Sequence, residues 1–193
     1  YEGRGDRPAA RRPPVYAPLP PSTGPSKATT YQGRGSNQIE VYLTNDLTLV
    51  RRPGHTLLLS PTFTADADGG GPPDSILLRF VSFSHEQVFS DHSALAITAD
   101  GEIRWPNLTL YSHPTPSDTR ARHSATTGED GQVVETVGET LPYEEFVRIV
   151  SARNVTVMLG PDVVELTAEQ VEALRDMHRK LPPSPHAPKR TRD

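Results

Sequence analysis

The sequence predicts an α+β protein: mainly antiparallel β, as a curved sheet or small sandwich, with two C-terminal helices and proline-rich ends that are disordered or extended. Three observations predict it. Short apolar runs of period two recur between turn residues through the first two thirds of the chain. A complete helix-start signature lies near residue 167. Charge and proline are unevenly spread over the 193 residues.

That unevenness divides the chain. Residues 1–38 hold six basic residues against two acids and seven of the 20 prolines, a net of +4. Residues 179–193 also carry +4, with four prolines, while the chain as a whole is −4, so residues 39–178 carry −12. The expected organisation is a Pro/Arg-rich arm (1–38), one β-rich globular domain (39–181) and a basic Pro-rich tail (182–193). Ends so poor in apolar residues cannot offset their ordering entropy alone. Lengthwise on a partner, a polyproline form lowers that cost. The acidic body argues against nucleic acid as a partner, since phosphate contacts need a basic face. No apolar run approaches the roughly 18 residues of a membrane-spanning helix, which leaves a peripheral role at a membrane complex open. With no cysteine, disulfides and Cys-based zinc sites are excluded.

The elements follow in order. Ile39, Val41 and Leu43 alternate with polar residues as a half-buried strand does, and Leu47–Val50 continues it. Residues 56–64 form a second strand, with Pro61 expected at an edge or bulge. Residues 66–74 are turn material. Residues 76–84 (ILLRFVSFS) read as a central strand. Strands 95–99 and 102–105 flank Asp100-Gly101, a pair suited to the positive φ angles of a type I′ hairpin. Residues 112–131 have no apolar period and are expected to be a long polar loop; 132–137 is another strand. Thr140 is expected to cap a helix over 141–153, with Phe146, Ile149 and Val150 on one face. Strands 155–159 and 163–166 bracket Gly160-Pro161-Asp162. Thr167 and Gln170 form a capping box, with Leu166 and Val171 as its hydrophobic staple, and Val171, Leu174 and Leu181 mark the buried face of the last helix.

Asp100-Gly101, Phe146, Ala152, Val155, Gly160, Glu165-Leu166-Thr167 and Ala173-Leu174-Arg175 carry a resemblance. Residues 74–178 resemble a family of uncharacterised bacterial, often exported, β-rich proteins. In that family a "DG" hairpin precedes a helix, a hairpin and an "ELTxEQxxALRD" helix. The resemblance implies a curved antiparallel sheet with two helices against it, and no catalytic residue. An exported location, periplasmic or at the cell surface, follows as the expectation, with a cytoplasmic one as the alternative. A start at Tyr1 fits either a processed or a trimmed chain.

Candidate sites are few. The arm contains Pro13-Pro14-Val15-Tyr16 and Pro18-Leu19-Pro20-Pro21, which would present a preformed polyproline helix to an aromatic groove, with a generic tether as the preferred reading. Arg11, Arg12, Tyr16, Pro18, Pro20 and Pro21 are therefore the expected contacts to a protein partner, arginine and tyrosine being favoured at interfaces. Arg4-Gly5-Asp6 matches an adhesion tripeptide, a match common by chance. Asp66, Asp68 and Asp74 fail the calcium-loop pattern: Gly70 and Leu77 occupy its fifth and twelfth positions. His85, Asp91 and His92 are the candidate metal ligands, with solvated loop residues as the plainer reading. The same reading holds for His113, Asp118 and His123. Glu144 and Glu145 point to different helix faces and cannot form an acid/base pair. Nucleophile-elbow, HExxH, Walker and dinucleotide signatures are absent. The expected function is a non-enzymatic interaction, scaffold or accessory subunit of an exported or membrane-associated assembly, tethered by its arm and needing no cofactor. The alternative is a small-ligand-binding or hydrolytic exported domain, with a site in the 85–92 and 112–131 loops.

Overall fold

The computed structural model describes residues 19, 21, 24–69, 71–90, 93–109 and 122–181. Eleven strands and two helices are described. In chain order the strands are β1 (Ala28–Gln32), β2 (Gln38–Leu43), β3 (Leu47–Arg52), β4 (His55–Asp66), β5 (Ser75–Ser84), β6 (Ala94–Ala99), β7 (Glu102–Thr109), β8 (Arg122–Thr127) and β9 (Val133–Pro142). Helix α1 (Tyr143–Ser151), strands β10 (Val155–Leu159) and β11 (Asp162–Glu165), and helix α2 (Ala168–Arg179) complete them. The protein is thus mainly antiparallel β with two helices, as the alternating apolar runs predict. The larger sheet runs β1-β2-β4-β5-β9-β8, with β3 also on β4, and the smaller runs β11-β10-β6-β7.

The larger sheet turns on β4. Strand β5 occupies one edge of β4, and β2 and β3 follow one another along its other edge. The last β3 pair is Leu47↔Leu59 and the last β2 pair is Tyr42↔Thr62, so Ser60 and Pro61 lie at the gap. Pro61 therefore sits inside a long strand with a partner on only one side. The edge or bulge expected for it is replaced by this break between two neighbours, which spares a ladder bond that proline could not donate. The Ser60 hydroxyl donates to Asp46 across the gap. Strand β3 returns into β4 through Pro53-Gly54, where Gly54 takes φ 77°. Proline then glycine at the centre of a two-residue loop is type II turn chemistry.

Side chains alternate across this sheet. Val41, Leu57, Leu59, Phe63, Phe80, Val137 and Leu141 face a single core. Tyr143 and Phe146 of α1 enter that core beside Phe63, with ring centroids 5.3 and 6.5 Å from it. Asp100 and Gly101 both take positive φ, 51° and 81°, as the expected hairpin requires. The Asp100 carboxylate also accepts the amides of Arg153 and Asn154, each at 3.0 Å, tying this hairpin to the end of α1.

Four expectations are corrected. Thr140 does not cap α1: it pairs with Leu77 inside β9, and Pro142 is the residue before the helix. Proline suits a helix entrance because its missing N–H would have no partner there. Part of the span expected to be the 112–131 loop is strand: Arg122–Thr127 forms β8 and pairs with β9. His123 is consequently not a solvated loop residue but buried, 5% exposed. Last, the span assigned to the arm contains β1, paired along its whole length with β2. Averaging composition over residues 1–38 hid the Thr-Thr-Tyr run that favours a strand.

Helix α2 is held as its sequence demands. The Thr167 hydroxyl accepts the Gln170 amide at 3.2 Å, and the Gln170 side chain accepts the Thr167 amide at 2.9 Å. Arg175 donates to the carbonyls of Val150 and Ala152, at 2.7 and 2.9 Å, meeting needs that the end of α1 cannot meet itself.

Candidate functional site

Of the expected partner contacts, Pro21 is exposed, and Arg11, Arg12, Tyr16, Pro18 and Pro20 lie outside the described residues. So do Asp91, His92, His113, Asp118 and the Arg4-Gly5-Asp6 tripeptide. His85 is exposed in the connection after β5. Among the described residues, no three His, Cys, Asp or Glu side chains come together as a metal site would need.

The chain entering β1 is tightly held. Leu19 packs against the core, and the Lys27 amide donates to the buried Asp176 carboxylate at 3.0 Å. Lys27 also pairs through its ammonium with Glu169, whose carboxyl is held below the usual range by that hydrogen bond and by the lysine charge. Arg179 donates to Asp176 and Glu172, both at 2.7 Å. Burial works against the guanidinium's charge, but these carboxylates raise its pKa overall. The entry to β1 is thus clamped onto α2.

Three histidines are structural neighbours of carboxylates or phenol. His55 Nε2 lies 2.9 Å from Asp162, which also accepts from Arg52 at 3.0 Å. This contact joins the β3–β4 hairpin of the larger sheet to β11 of the smaller one. His123 Nε2 lies 3.1 Å from Glu135, which accepts the amides of Val88 and Phe89 at 2.7 and 3.0 Å. Glu135 is fully buried, and its two oxygens pin the 85–90 segment onto β9. Phe89 follows into the core, edge-on to His123 with centroids 6.4 Å apart. A Cβ at Gly160 would stand 2.9 Å from the Phe89 ring, so glycine there serves a close approach as well as a turn at φ 56°. The third ring, His178, stacks on Tyr143, whose phenol is 2.8 Å from its Nδ1.

Sequence reasoning missed Glu135 and Phe89. Only the alternation Val133-Glu135-Val137 hinted at Glu135, since it puts a carboxylate on the core face of a strand. The trio Ser82, His123 and Glu135 has the residue types of a hydrolytic triad but not its arrangement. Ser82 Oγ and His123 Nδ1 are buried without hydrogen-bond partners among the described residues, so no serine–histidine bond exists.

The outer face of the larger sheet differs. Tyr31 is 61% exposed, Leu77 40% and Tyr42 37%. With Glu40, Asp46 and Arg79 they line a shallow concavity of about 420 Å³ over the break between β2 and β3. Tyr42, Thr62 and Leu77 form one row across β2, β4 and β5; Tyr31 stands in the next row, opposite Glu40.

No protein-family model, no curated protein and no solved structure matches the chain.

Proposed function

We propose that the protein is a non-enzymatic interaction module, an accessory or scaffold subunit of an exported or membrane-associated assembly, whose N-terminal arm tethers it to a partner protein. The observation that carries this reading is the clamped root of the arm. A tether transmits position only if its base is fixed. Here the Lys27 amide bond to Asp176, the Lys27–Glu169 pair and the β1–β2 ladder fix it. Upstream of that root stands a segment with Arg11, Arg12, Pro13, Pro14 and Tyr16, rich in interface residue types and preset toward an extended form. The exported location rests on the family resemblance.

The alternative, a ligand or hydrolytic site between the 85–92 and 112–131 loops, draws on the meeting of His123, Glu135 and Phe89. Against it, the fully buried Glu135 carboxylate is taken up by two amides and a ring.

The test is affinity capture from the source organism with full-length protein and with a variant lacking residues 1–18, which spares β1 and its clamp. The expected result is a set of proteins retained by the full chain and lost on arm deletion or at high salt, because exposed basic contacts are screened. Recovery of the same set by both proteins refutes the tether.

A further inference from the structure

We infer that the arm's partner is a second copy of this chain, with residues Arg11–Tyr16 of one copy lying across the outer face of the other's larger sheet. This inference rests on the tether reading and names its partner.

The surface has the chemistry of a polyproline groove. Tyr31, Tyr42 and Leu77 are large, apolar-bodied and exposed, although an outer face needs only polar residues. Neighbouring strands stand about 4.8 Å apart, so Tyr42 and Leu77, two strands apart in one row, are separated by about 10 Å. A polyproline helix advances about 9.3 Å in each three-residue turn. A ligand crossing the strands therefore presents residues i and i+3 to Tyr42 and Leu77 in step. In the arm, Pro13 and Tyr16 have that spacing. Aromatic faces receive prolines well, and tyrosine faces also receive arginine.

Charge agrees. Glu40 and Asp46 flank the concavity against the single base Arg79, whereas Arg11–Pro21 holds two arginines and no acid. The same arm is poorly placed to fill its own groove. Leu19 and Lys27 hold its root on the core and α2 side of the sheet, opposite the face that carries Tyr31 and Tyr42. Tyr16 is three residues from Leu19, at most about 11 Å of chain, and would have to round the edge strand β1. A second copy presents its outer face without that detour.

The test is sedimentation of the full chain from micromolar to near-millimolar concentration. The expected result is self-association that weakens with salt and weakens tenfold or more in two variants. One carries Tyr31→Ala with Tyr42→Ala; the other carries Arg11→Ala with Arg12→Ala. Because the contact is arm-to-groove, an equal mixture of the two variants forms a species of dimer mass and nothing larger. Glu40→Lys, on an exposed strand position, gives the same weakening should the tyrosine pair disturb folding as judged by circular dichroism. A full chain that stays monomeric, or association indifferent to all three variants, overturns the inference. If the full chain is monomeric while affinity capture still depends on the arm, the tether stands and the second copy is wrong. If capture is independent of the arm, the tether itself is wrong.

Discussion

The two faces of the larger sheet are built from the same strands and have opposite accounts. On the inner face every second residue is spent on folding: Leu57, Ile76, Phe80, Val137 and Leu141 are wholly buried. Even a carboxylate there, Glu135, is committed, to two amides and a histidine. On the outer face Tyr31, Tyr42 and Leu77 do no comparable work, and Thr29, Glu40, Thr62 and Arg79 stand beside them. Side chains that stability does not explain are the ones a binding function can explain. The inner face teaches how the chain folds, and the outer face teaches where a partner could be recognised.

The comparison is sharpened first where the effect is largest. Phe80→Ala, at a site with no exposure, should destabilise by about 3–5 kcal/mol, read as a lower midpoint in urea with unchanged slope. Thr167→Ala removes one half of the capping box and should cost about 0.5–2 kcal/mol in the same assay. Losses as large for Tyr31→Ala as for Phe80→Ala would break the distinction between the faces, since a surface change away from special features stays within about 0.5 kcal/mol.

A pH effect of smaller size concerns His178. Burial, with the neighbouring Arg179 charge, lowers the ring's pKa below its usual value. Its Nδ1 shares a hydrogen bond with the Tyr143 phenol at 2.8 Å. The unfolded chain therefore takes up a proton before the folded one does. The stability from this site is complete above about pH 6.5 and declines as pH falls from there toward the lowered folded value. Melts between neutral and mildly acidic pH should fall less steeply in His178→Gln than in the unaltered protein. Equal slopes would remove the histidine from the account.

What was legible in the sequence was local. The Asp100-Gly101 hairpin, the Thr167–Gln170 capping box and most strand cores are set by residues close in the chain, so period and turn chemistry find them. What was missed depends on distant partners. Nothing near Thr140 says that its strand continues to Pro142, because that extension is dictated by pairing with Ser75–Leu77. Glu135 becomes an anchor only when Val88 and Phe89 arrive over it. The break that admits Pro61 arises from two strands sharing one edge of β4, which no window of the sequence contains. His123 was read from its polar neighbours, and in a strand those neighbours point to the other face. One local signal was overlooked: Pro53-Gly54, between two apolar runs, announces the β3–β4 hairpin.

The central claim is that the outer face binds while the inner face folds, and a titration tests it most directly. A fluorescent peptide of residues 9–21 is added to protein lacking residues 1–18, and its anisotropy is followed with the groove intact and with Tyr31→Ala and Tyr42→Ala together. The account predicts saturable binding to the intact groove, weakened tenfold or more by the double variant, with the two proteins melting alike. Binding of equal strength to both, or to neither, would contradict it.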